Sequence, residues 1–296
     1  MEWVRKNSTT ENTIVEQEHR ISPELTVPLL HVPLLESTGI VKEGFSTRAG
    51  GVSKGIFSTM NLSFTRGDEE AAVRENYRRL ARALGAEVGQ FVCSDQTHTV
   101  NVRRVTAADA GKGLTRERDY RDVDGLITDE PGLVLSTFYA DCVPLYLVDP
   151  VHRAIGMSHS GWRGTAARMG AVTLSAMQEA YGTRPEDVVC AVGPSICRDC
   201  YEVSADVADI FAEEFPGHEQ EILAESEKNS VGMAHADKKY QLDLWKANEI
   251  IFQEAGVRKE HLAVTDICTC CNPKLLFSHR ASHGKRGNLG GFLYLK

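Results

Sequence analysis

Apolar and polar positions fall into short blocks along the chain, and the clearest pair of blocks lies in residues 140 to 164, ADCVPLYLVDPVHRAIGMSHSGWRG. The apolar run Leu133 to Tyr139 approaches Asp141-Cys142, a second run from Ala154 to Met157 approaches Ser158-His159, and Asp149-Pro150 between them is a turn signal. The pattern reads as a hairpin. With Asp149 to His152 as the turn, Val148 opposes Arg153, Leu147 opposes Ala154 and Cys142 opposes His159. Directly opposed Cβ atoms stand about 4.5–5.5 Å apart, close enough for a thiolate and an imidazole to share a metal or a proton. Pro144 donates nothing to a ladder and suggests an edge strand or a bulge.

The remaining elements follow from the same periodicities. A strand from Val41 to Thr47 leads into a loop holding Gly50, Gly51 and Gly55, where Arg48 is placed to grip an anion. Asp68 is a candidate cap for a helix to Leu84, with Val73, Tyr77, Leu80 and Leu84 on one face and Gly85 as its stop. Phe91-Val92-Cys93 is extended, and His98 follows in SDQTHTVNVRRV. SGWRGTAARMGAVTLSAMQEAYG reads as a turn opening one helix, with Met169, Val172, Ala176 and Ala180 inward and Gly182 at its end. The turn's N–H groups, the helix dipole and Arg163 form a natural anion site. A strand at Val188 to Val192, helices over 204–215 and 243–255, a strand at 262–267 and a terminal strand complete the chain. Alternating helices and strands predict an α/β or α+β layered fold. Residues 1–27 read as a polar arm or one short strand, with a single domain over 28–296.

Composition narrows the function classes. With 42% hydrophobic and 25% charged residues, the 296-residue chain has the make-up of an ordinary globular protein. A net charge of −8 argues against nucleic-acid binding, and no apolar run reaches the roughly 18 residues of a membrane span. The opening residues lack the apolar core of a signal peptide. Together with eight cysteines, this points to a reducing, cytoplasmic setting and a small-molecule partner.

Two cysteine constellations compete for chemistry. Cys197 and Cys200, with Cys268, Cys270 and Cys271, have spacing that suits a structural zinc. Cys-x-Cys-Cys is not the usual second half of such a site, so the preferred reading is buried packing thiols. The second constellation is His98, Cys142 and His159, two imidazoles and a thiolate that leave a fourth metal position open for water or substrate. The metal-free alternative makes Cys142 a nucleophile activated by His159, with Asp141 as the orienting group.

The stretches FSTRAGGVSKG, NLSFTRGD, QTH, DGLIT, ADCVPLYLVDP, HSGWRGT, VGPSICRDCYEV, DLW, and CT with FSHR resemble, in order, the motifs of the YfiH-type family. This family is also called the laccase-domain or multicopper polyphenol oxidase-like family. The resemblance runs from about residue 40 to the C-terminus. It implies a single α/β domain of layered mixed sheets flanked by helices (CNF/YfiH-like), with a zinc ion held by His98, Cys142 and His159. It also implies phosphorolysis of purine nucleosides (adenosine, inosine, guanosine and methylthioadenosine) and deamination of adenosine. Arg48 matches an arginine of the family's pocket, and the family's SICRDCYEV-like stretch often carries cysteines that are not zinc ligands, which supports the packing reading of Cys197 and Cys200. On this reading Arg48 and Arg163 hold phosphate and Asp141 shuttles a proton. Peptidoglycan editing by an amidase-like hydrolysis is the alternative the resemblance also carries. A copper-dependent polyphenol oxidase fits less well, because the chain has no His-x-His pair and three ligands hold one metal, although copper could occupy the same site.

Overall fold

The computed structural model describes residues 1–6, 12–230 and 232–296, so 7–11 of the polar arm lie outside the described residues. The alternating apolar pattern resolves into two six-stranded mixed sheets laid face to face. The first runs, in spatial order, β1 (Val15–Ser22), β2 (Leu25–His31), β3 (Val41–Ser46), β15 (Leu289–Leu295), β7 (Val134–Tyr139) and β4 (Phe91–Cys93). The second runs β14 (Leu262–Val264), β10 (Val189–Val192), β8 (Val143–Asp149), β9 (Ala154–Ser160), β6 (Gly125–Thr128) and β5 (Val102–Arg104). A small third sheet joins β11 (Glu202–Ser204), β13 (Lys239–Leu242) and β12 (Leu223–Glu225). The α-helices are α1 (Pro33–Glu36), α2 (Glu70–Leu84), α3 (Trp162–Ala166), α4 (Met169–Tyr181), α5 (Ala205–Glu214), α6 (Glu219–Ile222) and α7 (Leu244–Glu254). No helix among the described residues is long and apolar enough to cross a membrane.

The two-residue side-chain period of a strand explains the layering. Leu293 and Leu295 of β15 face the second sheet, while Phe292 and Tyr294 pack with Tyr77 and Leu80 of α2. Tyr146 and Val148 of β8 likewise face the first sheet, while Leu145 and Leu147 pack against α4 and α7. The result is four layers: helix, sheet, sheet, helices. Each fully buried Leu or Phe contributes about 1.5–3 kcal/mol of transfer free energy, which is why both faces of the central strands are apolar.

Several local expectations shift. The α2 face and its Gly85 stop, at φ 69°, are as read, but the N-cap is Glu69, and Asp68 instead accepts from Asn61 Nδ2 at 2.9 Å. The helix expected after Gly161 is two, because Arg168 adopts φ 58° between α3 and α4. The buried line of α4 is Met169, Gly170, Thr173, Leu174 and Met177, with Val172, Ala176 and Ala180 only partly buried. Thr173 takes an inward position because its hydroxyl is satisfied by Met169 O and Ser158 Oγ, so counting apolar residues rotates the face. The polar start of the chain carries an eight-residue edge strand, β1, and its first residues dock on the far end through Arg5–Asp266 at 2.6 Å.

The hairpin forms, but in a different register. Asp149 pairs with Ala154, so the loop is Pro150 to Arg153, and His159 opposes Pro144 rather than Cys142. Asp149 Oδ1 accepts the N–H groups of Val151 and His152, which places this residue before the loop and shifts the pairing by two. A shift of two keeps every side chain on its own face. β8 is interior, between β10 and β9, so Pro144 marks no edge. His159 donates its N–H to Asp124 O, so Pro144–His159 is a pair without ladder bonds, and Pro144 turns its backbone to Gly193, whose N–H donates to Pro144 O and whose carbonyl accepts from the Ser195 hydroxyl.

Gly291 of β15 lies where the sheets touch: a Cβ there would stand 2.4 Å from Met157 Cε and 2.9 Å from the Tyr146 hydroxyl. Gly291→Ala is expected to lower unfolding stability by about 1–3 kcal/mol through overpacking, read as a lower urea midpoint with unchanged slope.

Candidate active site

The strand ends β9 and β6, the loop after β4 and the entry to β8 meet at one end of the sandwich. His159 is the penultimate residue of β9, and Asp124 immediately precedes β6. Asp124 is fully buried, and its carboxylate accepts from His159 Nδ1 at 2.8 Å. It also accepts from the backbone N–H groups of Thr97, His98 and Thr99 and from the Thr99 hydroxyl. One carboxylate thus orients both histidines: it holds His159 with Nε2 free, and it folds the Thr97–Thr99 loop on which His98 sits at φ 64°. Cys142 reaches them from the bend before β8, its Sγ 3.8 Å from His98 Nε2. The rings of His98 and His159 meet edge to face with centroids 4.9 Å apart, and one ligand atom from each of the three residues lies within 4.8 Å of the others. The donor set and spacing fit a single metal ion with an open position.

Without a metal, electrostatics make Cys142 and His159 a charged pair. Burial pushes the Cys142 thiol up, but the charge and hydrogen bond of His159, then His98, outweigh it and bring Cys142 down to about 6. Burial disfavours the His159 imidazolium, yet the Cys142 thiolate and the hydrogen bond to Asp124 raise it to about 9. Burial likewise opposes ionisation of Asp124, and its His159 and backbone bonds hold it below the usual carboxylate range.

The other site residues read from the sequence separate. Asp141, considered as a proton shuttle or orienting group, has both carboxylate oxygens engaged at 2.7 Å, one by the Thr269 hydroxyl and one by the N–H of Arg280. With φ 88° it forms the bend that presents Cys142, and the orienting carboxylate is Asp124 instead. Arg48 does not line the cavity over the three donors. Its guanidinium donates to Ser58 O and Pro273 O and covers Phe277, because the loop after β3 folds back on the segment 273–277. Arg163 is exposed and stacks on Trp162 at 4.2 Å, outside the same cavity. That cavity, of about 400 Å³, is lined by Phe64, Arg66, Phe138, Arg286 and Asn288 as well as His98, Cys142 and His159. Sequence reading missed Arg66, Arg286 and Asp124. Asp124 carried a signal in DGLIT, a buried acid at a strand start, and Arg66 lay inside the quoted NLSFTRGD stretch, whereas Arg286 comes from a loop with no hydrophobic periodicity. Burial and the like charge of Arg66 bring the Arg286 guanidinium down to about 10, and its Nε is buried without a hydrogen-bond partner among the described residues.

The cysteines read as buried packing thiols form one group: sulfurs of Cys197, Cys200, Cys268 and Cys271 all lie within 4.8 Å of one another. Cys270 is outside this group.

The model of the family described as multi-copper polyphenol oxidoreductase laccase matches residues 42–296. The chain belongs to this family. Within the laccase-type family, it is 34% identical over 257 residues to the purine nucleoside phosphorylase YlmD of Bacillus subtilis, covering 86% of this chain and 88% of that one. It is 37% identical to a purine nucleoside phosphorylase of Deinococcus radiodurans, covering 89% and 91%. The crystal structure of Bacillus licheniformis YfiH superposes with a TM-score of 0.82 at 30% identity, covering 94% and 98%. The layered mixed sheets are therefore the fold of this family.

Asp124→Asn removes the charge that orients both histidines. It is expected to weaken metal binding about 10- to 100-fold in competition titrations while circular dichroism stays unchanged. In metal-stripped protein, alkylation of Cys142 by iodoacetamide should be half-maximal near pH 6, since the thiolate is lost only as pH falls through about 6. His159→Gln should move that midpoint up toward the ordinary thiol value of about 8.5.

Proposed function

We propose that this protein is a zinc-dependent purine nucleoside phosphorylase acting on adenosine, inosine, guanosine and methylthioadenosine, and that the same site deaminates adenosine. The observation that carries the reading is that three metal donors and two arginines line one cavity. The relatives named purine nucleoside phosphorylase support it.

A metal held by His98, Cys142 and His159 would supply Lewis-acid polarisation of a substrate oxygen, or an activated water for deamination. The remaining work falls to the chain. Arg66 and Arg286 would hold phosphate, matching its oxygens with planar N–H donors, and the unpartnered Arg286 Nε is the donor such an anion would satisfy. Asn288, bonded to Arg286 Nη1 through its side-chain oxygen, fixes that guanidinium. The rings of Phe64 and Phe138 offer apolar faces for a purine, and Phe64 is already stacked on Tyr77 at 5.7 Å. In phosphorolysis a phosphate oxygen bonds to C1′ of the ribose as the bond from C1′ to the purine nitrogen breaks, leaving ribose 1-phosphate and the free base. Holding phosphate and nucleoside together in one cavity contributes by proximity.

Incubation of the purified protein with adenosine, with and without phosphate, separates the activities: adenine that requires phosphate reports phosphorolysis, and inosine reports deamination. Cys142→Ala is expected to abolish both together with the metal of the His98, Cys142 and His159 site. Arg286→Gln should raise the KM for phosphate about tenfold or more while metal content is unchanged. Adenine released without phosphate, or no turnover of adenosine at all, would overturn the assignment.

A further inference from the structure

Beyond the cavity, the strongest cluster of metal-ligating side chains lies where the loop after β10 meets the loop after β14. Cys197 caps and Cys200 ends a single turn of 3₁₀ helix, Arg198–Cys200, in which the N–H of Cys200 donates to Cys197 O at 3.1 Å. Cys268 and Cys271 flank the next-door turn. Both pairs have the spacing Cys-x-x-Cys once Cys270 is set aside as a spectator, which is the doubled spacing of tetrathiolate zinc sites. We propose that Cys197, Cys200, Cys268 and Cys271 bind one structural zinc ion, separate from the His98, Cys142 and His159 centre.

Four sulfurs each about 2.3 Å from one zinc ion stand roughly 3.8 Å apart. Here all four sulfurs lie within 4.8 Å, and Cys200 and Cys271 are 3.5 Å apart without a bond. That compactness suits one ion and is too tight for a cluster of several irons. The shell around the sulfurs is arranged for negative charge. The N–H groups of Cys197 and Cys271 both point at Cys268 Sγ, at 3.2 and 3.4 Å, and the Lys6 ammonium, bonded to Asp199 at 3.0 Å, lies near Cys197 and Cys271. Amide N–H donors and a nearby cation offset the excess charge of four thiolates on a divalent ion. Four protein ligands also leave no open position, which is the mark of a structural rather than a catalytic site.

The site would brace the catalytic end. Ile196, next to Cys197, donates its N–H to Asp141 O, and Thr269, next to Cys268, donates its hydroxyl to Asp141 Oδ1 at 2.7 Å. Asp141 forms the bend that presents Cys142, so an ion joining these two loops holds that bend from both sides.

Metal analysis of the purified protein tests this. The wild type is expected to carry about two zinc ions per chain, Cys142→Ala about one, Cys200→Ser about one and Cys270→Ser about two. If Cys200→Ser fails to fold, the Cys142→Ala protein still decides the matter. Cobalt loaded into it should give the intense thiolate charge-transfer absorption of a tetrahedral tetrathiolate, and a mercurial should release the ion only as four thiols are modified. A Cys142→Ala protein without metal, a coloured iron centre, or a Cys200–Cys271 disulfide recovered by peptide mapping of native protein would overturn the proposal.

Discussion

The buried carboxylate of Asp124 is the constraint on which the active end depends. A carboxylate removed from water costs several kcal/mol unless its oxygens are satisfied, and this one accepts five hydrogen bonds, from His159, the Thr97–Thr99 backbone and the Thr99 hydroxyl. Those bonds are also what places two imidazoles from distant parts of the chain edge to face. The stabilisation of the fold and the preparation of the site are here the same interaction. It leaves the Nε2 of His159 facing Cys142, and so makes a soft, three-donor site with one position to spare.

Cys142 is presented by a different device. Asp141 adopts a positive φ, an arrangement that costs about 1–3 kcal/mol for a residue other than glycine and persists only where the surroundings fix it. Thr269, Arg280 and Ile196 supply that restraint from two other loops. The bend is thus held by segments that have little regular structure of their own and that carry the four clustered cysteines. Rigidity at the thiolate comes from loops, and the loops gain theirs from each other.

The sandwich supplies the platform. Mixed sheets buried on both faces fix the ends of β4, β6, β7, β8, β9 and β15 within one mouth, so short excursions from each strand are enough to line a cavity. This explains why family likeness over residues 42–296 extends through the scaffold as well as the donors.

The sequence by itself determined what depends on near neighbours: the apolar face of α2 and its Gly85 stop, the hairpin between β8 and β9, and the layered α/β character. Its resemblance to a family singled out His98, Cys142 and His159, which spacing could not choose from ten histidines. What tertiary structure decided rests on contacts between residues far apart in the chain. The hairpin register turned on how Asp149 satisfies two loop N–H groups, and the inward face of α4 turned on a hydroxyl partner for Thr173. Asp124 rather than Asp141 orients His159 because the atoms that satisfy each carboxylate come from other loops. Arg66 and Arg286 reach the cavity, and Arg48 does not, because backbone carbonyls of a distant segment claim the Arg48 guanidinium. Cys200 and Cys271, 71 positions apart, meet only when β10 and β14 pair side by side. Hydrophobic periodicity reports which side of an element is buried; it carries no information about which buried polar groups will find each other.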